Sequence, residues 1–174
     1  LQLPGPAVWQ KLEELRARRV TGRSARLLMR FFGEILIHRR NPFLFQELVD
    51  SGRRRRRFFD NIEKDLGVVD RNANGEERVL DVLEDCRGLL AVFQKEVEGA
   101  SELRRRMTRE LGAVVGKDNV LFDPFTIVSH ATDATDWRLH LPVAVVMPDE
   151  EAQVAPLLAG IARLGQKAVP RGAG

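Results

Sequence analysis

The feature that most restricts this chain is an apolar stripe. Val79, Val82, Leu83, Cys86, Leu89, Leu90, Phe93 and Val97 recur at three- and four-residue spacing, with charged and polar residues filling the positions between them. A helix with one such face gains little stability alone and has to bury that face against other elements. The spacing predicts a helix that runs on past Gly99, the expected kink, to Met107 and Leu111. Glu102 and Arg106, then Arg106 and Glu110, stand four residues apart as supporting pairs, and Gly116 is the expected C-cap.

Partners for that stripe lie upstream. Val8, Leu12 and Leu15 recur at helical spacing from Val8 to Arg19, and Thr21-Gly22 breaks the pattern. Ser24 is then placed to cap a second helix carrying Leu28, Phe31, Phe32 and Ile35 on one face. Asn41-Pro42 ends it, because the residue before proline is pushed out of helical geometry and proline lacks the donor. Shorter helices are expected over Leu44–Asp50 and Phe58–Leu66, followed by a loop over Asp70–Gly75. Residues 1–116 therefore read as an antiparallel helical bundle.

The character changes after Lys117. Residues 117–141 read as an extended linker containing a short strand over Phe125–Val128. From Pro142 the run Val143-Ala144-Val145-Val146-Met147 suits a strand buried on both faces. Asp149 is placed to cap a helix with Glu150 and Glu151 in its first turn, Val154, Leu157, Leu158, Ile161 and Leu164 on its apolar face, and Gly165 at its C-terminal turn. A second strand, Ala168-Val169, then leads into Pro170-Arg171-Gly172-Ala173-Gly174, which makes residues 142–174 a βαβ-like unit. On spacing alone the glycine loop reads either as a plain turn or as a phosphate cradle, whose bare backbone lets several N–H groups approach a diphosphate. The start at Leu1 and the stop inside this loop lead us to expect a fragment of a longer protein.

Composition narrows the function classes. The 28 basic residues are offset by 25 acidic ones, unlike the large excess of a dedicated nucleic-acid binder, so weak and sequence-independent nucleic-acid contact at most is expected. Five arginines, Arg53 to Arg57, and the run Arg104-Arg105-Arg106 are the basic clusters, and five in a row on a helix point around its whole circumference. One cysteine, Cys86, excludes an internal disulfide and a cysteine-only metal site; on the apolar stripe it reads as a small buried hydrophobe. His130, Asp133, Asp136 and His140 form a spaced set that suits either turn-bracing or a metal, and Trp9 and Trp137 read as packing residues. With no signal peptide and no apolar run of roughly 18 residues, the expectation is a cytoplasmic protein without a transmembrane segment.

The order of proline, apolar strand, acidic helix start, apolar helix and Pro170-Arg171-Gly172-Ala173-Gly174 resembles the opening of the FAD domain in FAD-linked oxidases of the p-cresol methylhydroxylase and vanillyl-alcohol oxidase type, in the D-lactate dehydrogenase and glycolate oxidase branch. Across most of its length the chain is similar to very large bacterial FAD/FMN-containing dehydrogenases with a helical region ahead of the flavin domain. That similarity is carried by Val20 to Arg26, Arg39-Arg40-Asn41-Pro42, Lys117-Asp118-Asn119 and Ser129 to Arg138. The resemblance implies an α+β fold, a helical bundle followed by the opening of a p-cresol methylhydroxylase-type FAD-binding domain. It implies that Pro170, Arg171, Gly172, Ala173 and Gly174 contact the FAD pyrophosphate. It further implies a parent enzyme that oxidises a 2-hydroxy acid such as D-lactate and sends electrons through downstream iron–sulfur modules, cytoplasmic or peripheral at the inner membrane. In that parent the helical region would dock within the protein, and the fragment alone would be inactive. The resemblance assigns no catalytic residue within this chain. The contrasting expectation is a non-enzymatic basic helical module that binds nucleic acid or a protein partner through its arginines.

Overall fold

A computed structural model of the chain describes residues 10, 11, 13, 14, 22–131 and 141–172. These are mostly helical, with one two-stranded antiparallel sheet. The chain divides into two compact units, Leu1–Glu98 and Gly99–Gly174.

In the first unit, α1 (Gly22–Arg40), α2 (Pro42–Asp50) and α3 (Gly52–Asn72) follow one another with single-residue joints. Asn41 ends α1 and caps α2, its Oδ1 accepting from Phe43 N at 3.0 Å and Leu44 N at 3.4 Å, with Pro42 where a missing N–H costs nothing. Ser51 repeats the device, ending α2 and accepting from Arg54 N at 3.3 Å. Ser24 does not cap α1: it sits inside the first turn, buried, because α1 starts at Gly22. The third helix far outruns the expected Phe58–Leu66 and continues through Asp70 to Asn72, leaving only a tight turn in which Asn74 (φ 49°) and Gly75 (φ 80°) take left-handed geometry.

The long helix α4 (Glu77–Glu110) is unbroken at Gly99, and the unit boundary falls inside it. Its stripe is buried as the spacing requires, with Val82, Leu83, Cys86, Leu90, Phe93 and Val97 at 2% exposure or less. Phe93 is the centre of an aromatic cluster, its ring centroid 5.9 Å from Phe59, 6.1 Å from Phe58 and 6.3 Å from Phe45. His38 of α1 stacks 4.4 Å from Phe58, so side chains from four helices meet there. Residues 10, 11, 13 and 14 are helical, and Lys11 Nζ reaches Asp81 and Asp85 of α4 at 2.8 Å each.

In the second unit, α4 ends in the short helix α5 (Gly112–Val115), closed by Gly116 at φ 88°, the expected C-cap. A 3-10 turn, Lys117–Asn119, leads into β1 (Val120–Leu121), which pairs antiparallel with β2 (Val145–Val146) in the register Val120 to Val146. The expected βαβ order is thereby corrected in two places. The strand before the helix pairs with an upstream segment, and its core side carries Ala144 and Val146 while Val143 and Met147 stay exposed. An all-apolar run hid an ordinary one-sided alternation. Ala168-Val169 forms no strand: no further strand is there to pair with among the described residues, and Val169 is 90% exposed.

Phe125–Val128 is also not a strand. It lies in α6 (Pro124–Ser129), where Asp123 accepts from Thr126 N at 2.8 Å and Pro124 takes the first helical position. The bonds from Thr126 hold the Asp123 carboxyl below its ordinary range. A lowered folded-state pKa means the cap contributes fully above the ordinary carboxylate value and is lost as pH falls through the lowered one. The Thr126 amide resonance is therefore expected to titrate below the ordinary aspartate range and to lose that step in Asp123→Asn; a step at the ordinary value would count against the cap.

The final helix, α7 (Val154–Arg163), is entered through a 3-10 turn capped by Glu150 and Gln153, not by Asp149. Asp149 instead accepts from Asn119 Nδ2 at 2.7 Å, and the same amide donates to Val115 O at 2.9 Å. At its other end Gly165 (φ 70°) closes the helix, with Gln166 N bonded to Ile161 O and Gly165 N to Ala162 O, the six-to-one and five-to-two pair of a Schellman turn. Met107, Leu111, Val115, Val120, Phe122, Leu157 and Leu164 form this unit's core. Gly160 lets α7 approach closely, since a Cβ there would lie 3.0 Å from Leu111 Cδ2.

Candidate functional site

The glycine loop leaves the Schellman turn of α7 as irregular, exposed backbone. Arg171 Nη1 donates to the Ser129 carbonyl at 3.1 Å, which ties the loop to the end of α6. The guanidinium therefore braces the loop, and Arg171 as a whole is exposed. A Cβ at Gly172 would meet no atom within 4 Å, and its φ is not in the left-handed region. Backbone here is open to a ligand on the side where a side chain would otherwise stand. Of the five residues predicted to contact a pyrophosphate, Pro170, Arg171 and Gly172 are brought together in this loop, and Ala173 and Gly174 lie outside the described residues.

His130 ends α6, its Nδ1 2.8 Å from the Thr126 carbonyl and 3.2 Å from Ser129 Oγ, so it serves local turn geometry. Asp133, Asp136, His140, Trp9 and Trp137 lie outside the described residues. Among the described residues no group of three His, Cys, Asp or Glu side chains is arranged to hold a metal ion.

The arginine runs are not uniform solvated faces. On α3, Arg54 pairs with Glu47 at 2.7 Å, Arg55 is half-buried with an Nη1 that lacks a hydrogen-bond partner, and Arg53, Arg56 and Arg57 share one groove with Asp60 and Asn61. On α4, Arg104 lies over the Phe122 ring at 4.4 Å from its centroid, and Arg105 pairs with Glu102. Arg105 also lines a second groove with Thr108, Arg109, Gly112 and Lys117. Sequence reading missed Arg109 and Lys117, although the four-residue step from Arg105 to Arg109 to Ala113 marks one helix face.

Cys86 is fully buried, and burial, with Asp85 adding to it, pushes its thiol up to about 12. No thiolate is then present at neutral pH. An aromatic disulfide reagent is expected to leave native protein unlabelled and to react with one thiol per chain after unfolding; rapid native labelling would contradict the packing.

These observations define the class: a helical protein whose second unit presents two basic or glycine-lined surfaces and no assembled catalytic constellation among the described residues. The chain belongs to the family described as protein of unknown function DUF3683, whose profile matches residues 1–95. No curated protein and no solved structure matches it. Among the described residues, no helix is long and apolar enough to cross a membrane.

Proposed function

We propose that this chain is the N-terminal part of an FAD-dependent oxidoreductase similar to D-lactate and other 2-hydroxy-acid dehydrogenases, with the helical region as an assembly domain and the glycine loop on the cofactor's pyrophosphate. The observation that carries the reading is the order in residues 142–172. An apolar strand, a helix with a capped start and a Schellman end, and a Pro-Arg-Gly loop with bare backbone at Gly172 follow one another in the order that the resemblance implies. Exposed Pro170 to Gly172 leave room for a diphosphate, and Arg171, fixed on the Ser129 carbonyl, would place positive charge beside it. Bound FAD would supply two-electron acceptance from the substrate. This chain's residues would bind and orient it, and iron–sulfur modules elsewhere in the parent would take the electrons onward.

The test is spectroscopic. The parent protein, purified without added cofactor, is expected to carry flavin absorbance in stoichiometric amount and to lose it on anaerobic addition of D-lactate or a related 2-hydroxy acid. A parent protein that contains no flavin, and takes none up, overturns the reading.

A further inference from the structure

The groove beside the end of α4 is built in a way that the flavin reading leaves unexplained. Its volume is about 440 Å³, within the range of small-molecule sites. One wall is a single helix face, where Arg105 and Arg109 stand a turn apart and Thr108 and Gly112 do the same. The other wall is Lys117, packed close against Gly112: a Cβ there would stand 3.1 Å from Lys117 Cγ and 3.3 Å from Lys117 Cα and would push Lys117 back by a few tenths of an ångström.

Charge in this groove, which Arg104 also lines, is gathered and only partly neutralised. Arg105 gives one donor to Glu102 and keeps others, and neither Arg109 nor Lys117 has an acidic partner among the described residues. Arg105 and Arg109 repel each other at this spacing, so the arrangement opposes helix stability until an anion enters. Arg163, outside the groove, is 3.9 Å from Glu110.

We propose that this groove binds the phosphate chain of a polyphosphate-bearing small molecule, free or part of a nucleotide, through Arg105, Arg109 and Lys117. The proposal is independent of the flavin reading, because the groove and the glycine loop share no residue.

Calorimetric titration of the protein with inorganic pyrophosphate and with ATP at low ionic strength tests it. Saturable one-to-one binding that weakens as salt is raised is expected, and equal affinities would assign recognition to the phosphates alone, whereas tighter ATP would assign a nucleotide. Arg109→Ala combined with Lys117→Ala should weaken binding at least about tenfold, the loss of one charge-assisted contact or more. Gly112→Ala, which displaces Lys117 without removing a charge, should also weaken it while circular dichroism stays unchanged. Removing Arg56 and Arg57 instead should leave the affinity unaltered. No binding of either ligand, an equal loss in the Arg56 and Arg57 variant, or binding of a single-stranded RNA where both small ligands fail would each overturn the assignment.

Discussion

Phe93→Ala is expected to cost the first unit about 3–5 kcal/mol, the usual range for deleting a fully buried phenylalanine. The side chain has 0% exposure and lies within about 6 Å, centroid to centroid, of rings on α2 and α3. Its removal opens a cavity where several helices meet. Against a typical total stability of about 5–15 kcal/mol, such a loss is a large fraction of what holds a domain of this size. Val92, the preceding residue, is 51% exposed, and Val92→Ala is expected to stay within about 0.5 kcal/mol of the parent. Urea unfolding followed by helix ellipticity measures both. A Phe93→Ala loss below about 1 kcal/mol would mean that the aromatic cluster does not organise this unit.

If the proposed flavin reading holds, Gly172→Val in the parent protein is expected to lower flavin affinity by roughly two to four orders of magnitude. Two backbone contacts to charged oxygens, at about 1.5–3 kcal/mol each, set that range. The argument rests on the proposed cofactor, and the protein's own geometry makes it a clean test. A Cβ at Gly172 meets nothing within 4 Å, and the backbone there is not left-handed, so the substitution starts without a clash at Cβ or a left-handed φ. Helix content and thermal stability of the cofactor-free protein should therefore be unchanged while flavin per protein after gel filtration falls. Arg171→Ala should do less, since its guanidinium braces the loop on Ser129. Full flavin retention in Gly172→Val would remove the loop from the pyrophosphate site.

Legibility in the sequence followed the range of the interactions. The α4 stripe, the Asn41-Pro42 break, Gly116 and Gly165 were readable because a helix writes its burial at three- and four-residue spacing and its ends in one or two residues. Phe125–Val128 misled because β-branched residues outweighed a local signal, Asp123-Pro124 with Thr126 three residues on from the aspartate, which names a capped helix start. The partner of Val145–Val146 could not be read at all: two-residue strands leave no pattern, and nothing local marks Val120–Leu121 as the other half. The groove was invisible for a like reason, since Lys117 joins the Arg105–Arg109 face only through the fold around Gly112.

The antiparallel pairing of β1 with β2 also bears on when each unit takes shape. Both units close contacts distant in the chain: the first pairs Lys11 with Asp85, Arg39 with Glu96 and Phe45 with Phe93, and the second pairs β1 with β2 and Arg171 with the Ser129 carbonyl. Chains are made from the N-terminus at about 5–20 residues per second, and compact units generally fold in the order in which they emerge. On the ribosome, Leu1–Glu98 is therefore set to finish its core while β2 is still unsynthesised, so the helical unit can serve as a folded platform before the glycine loop has emerged.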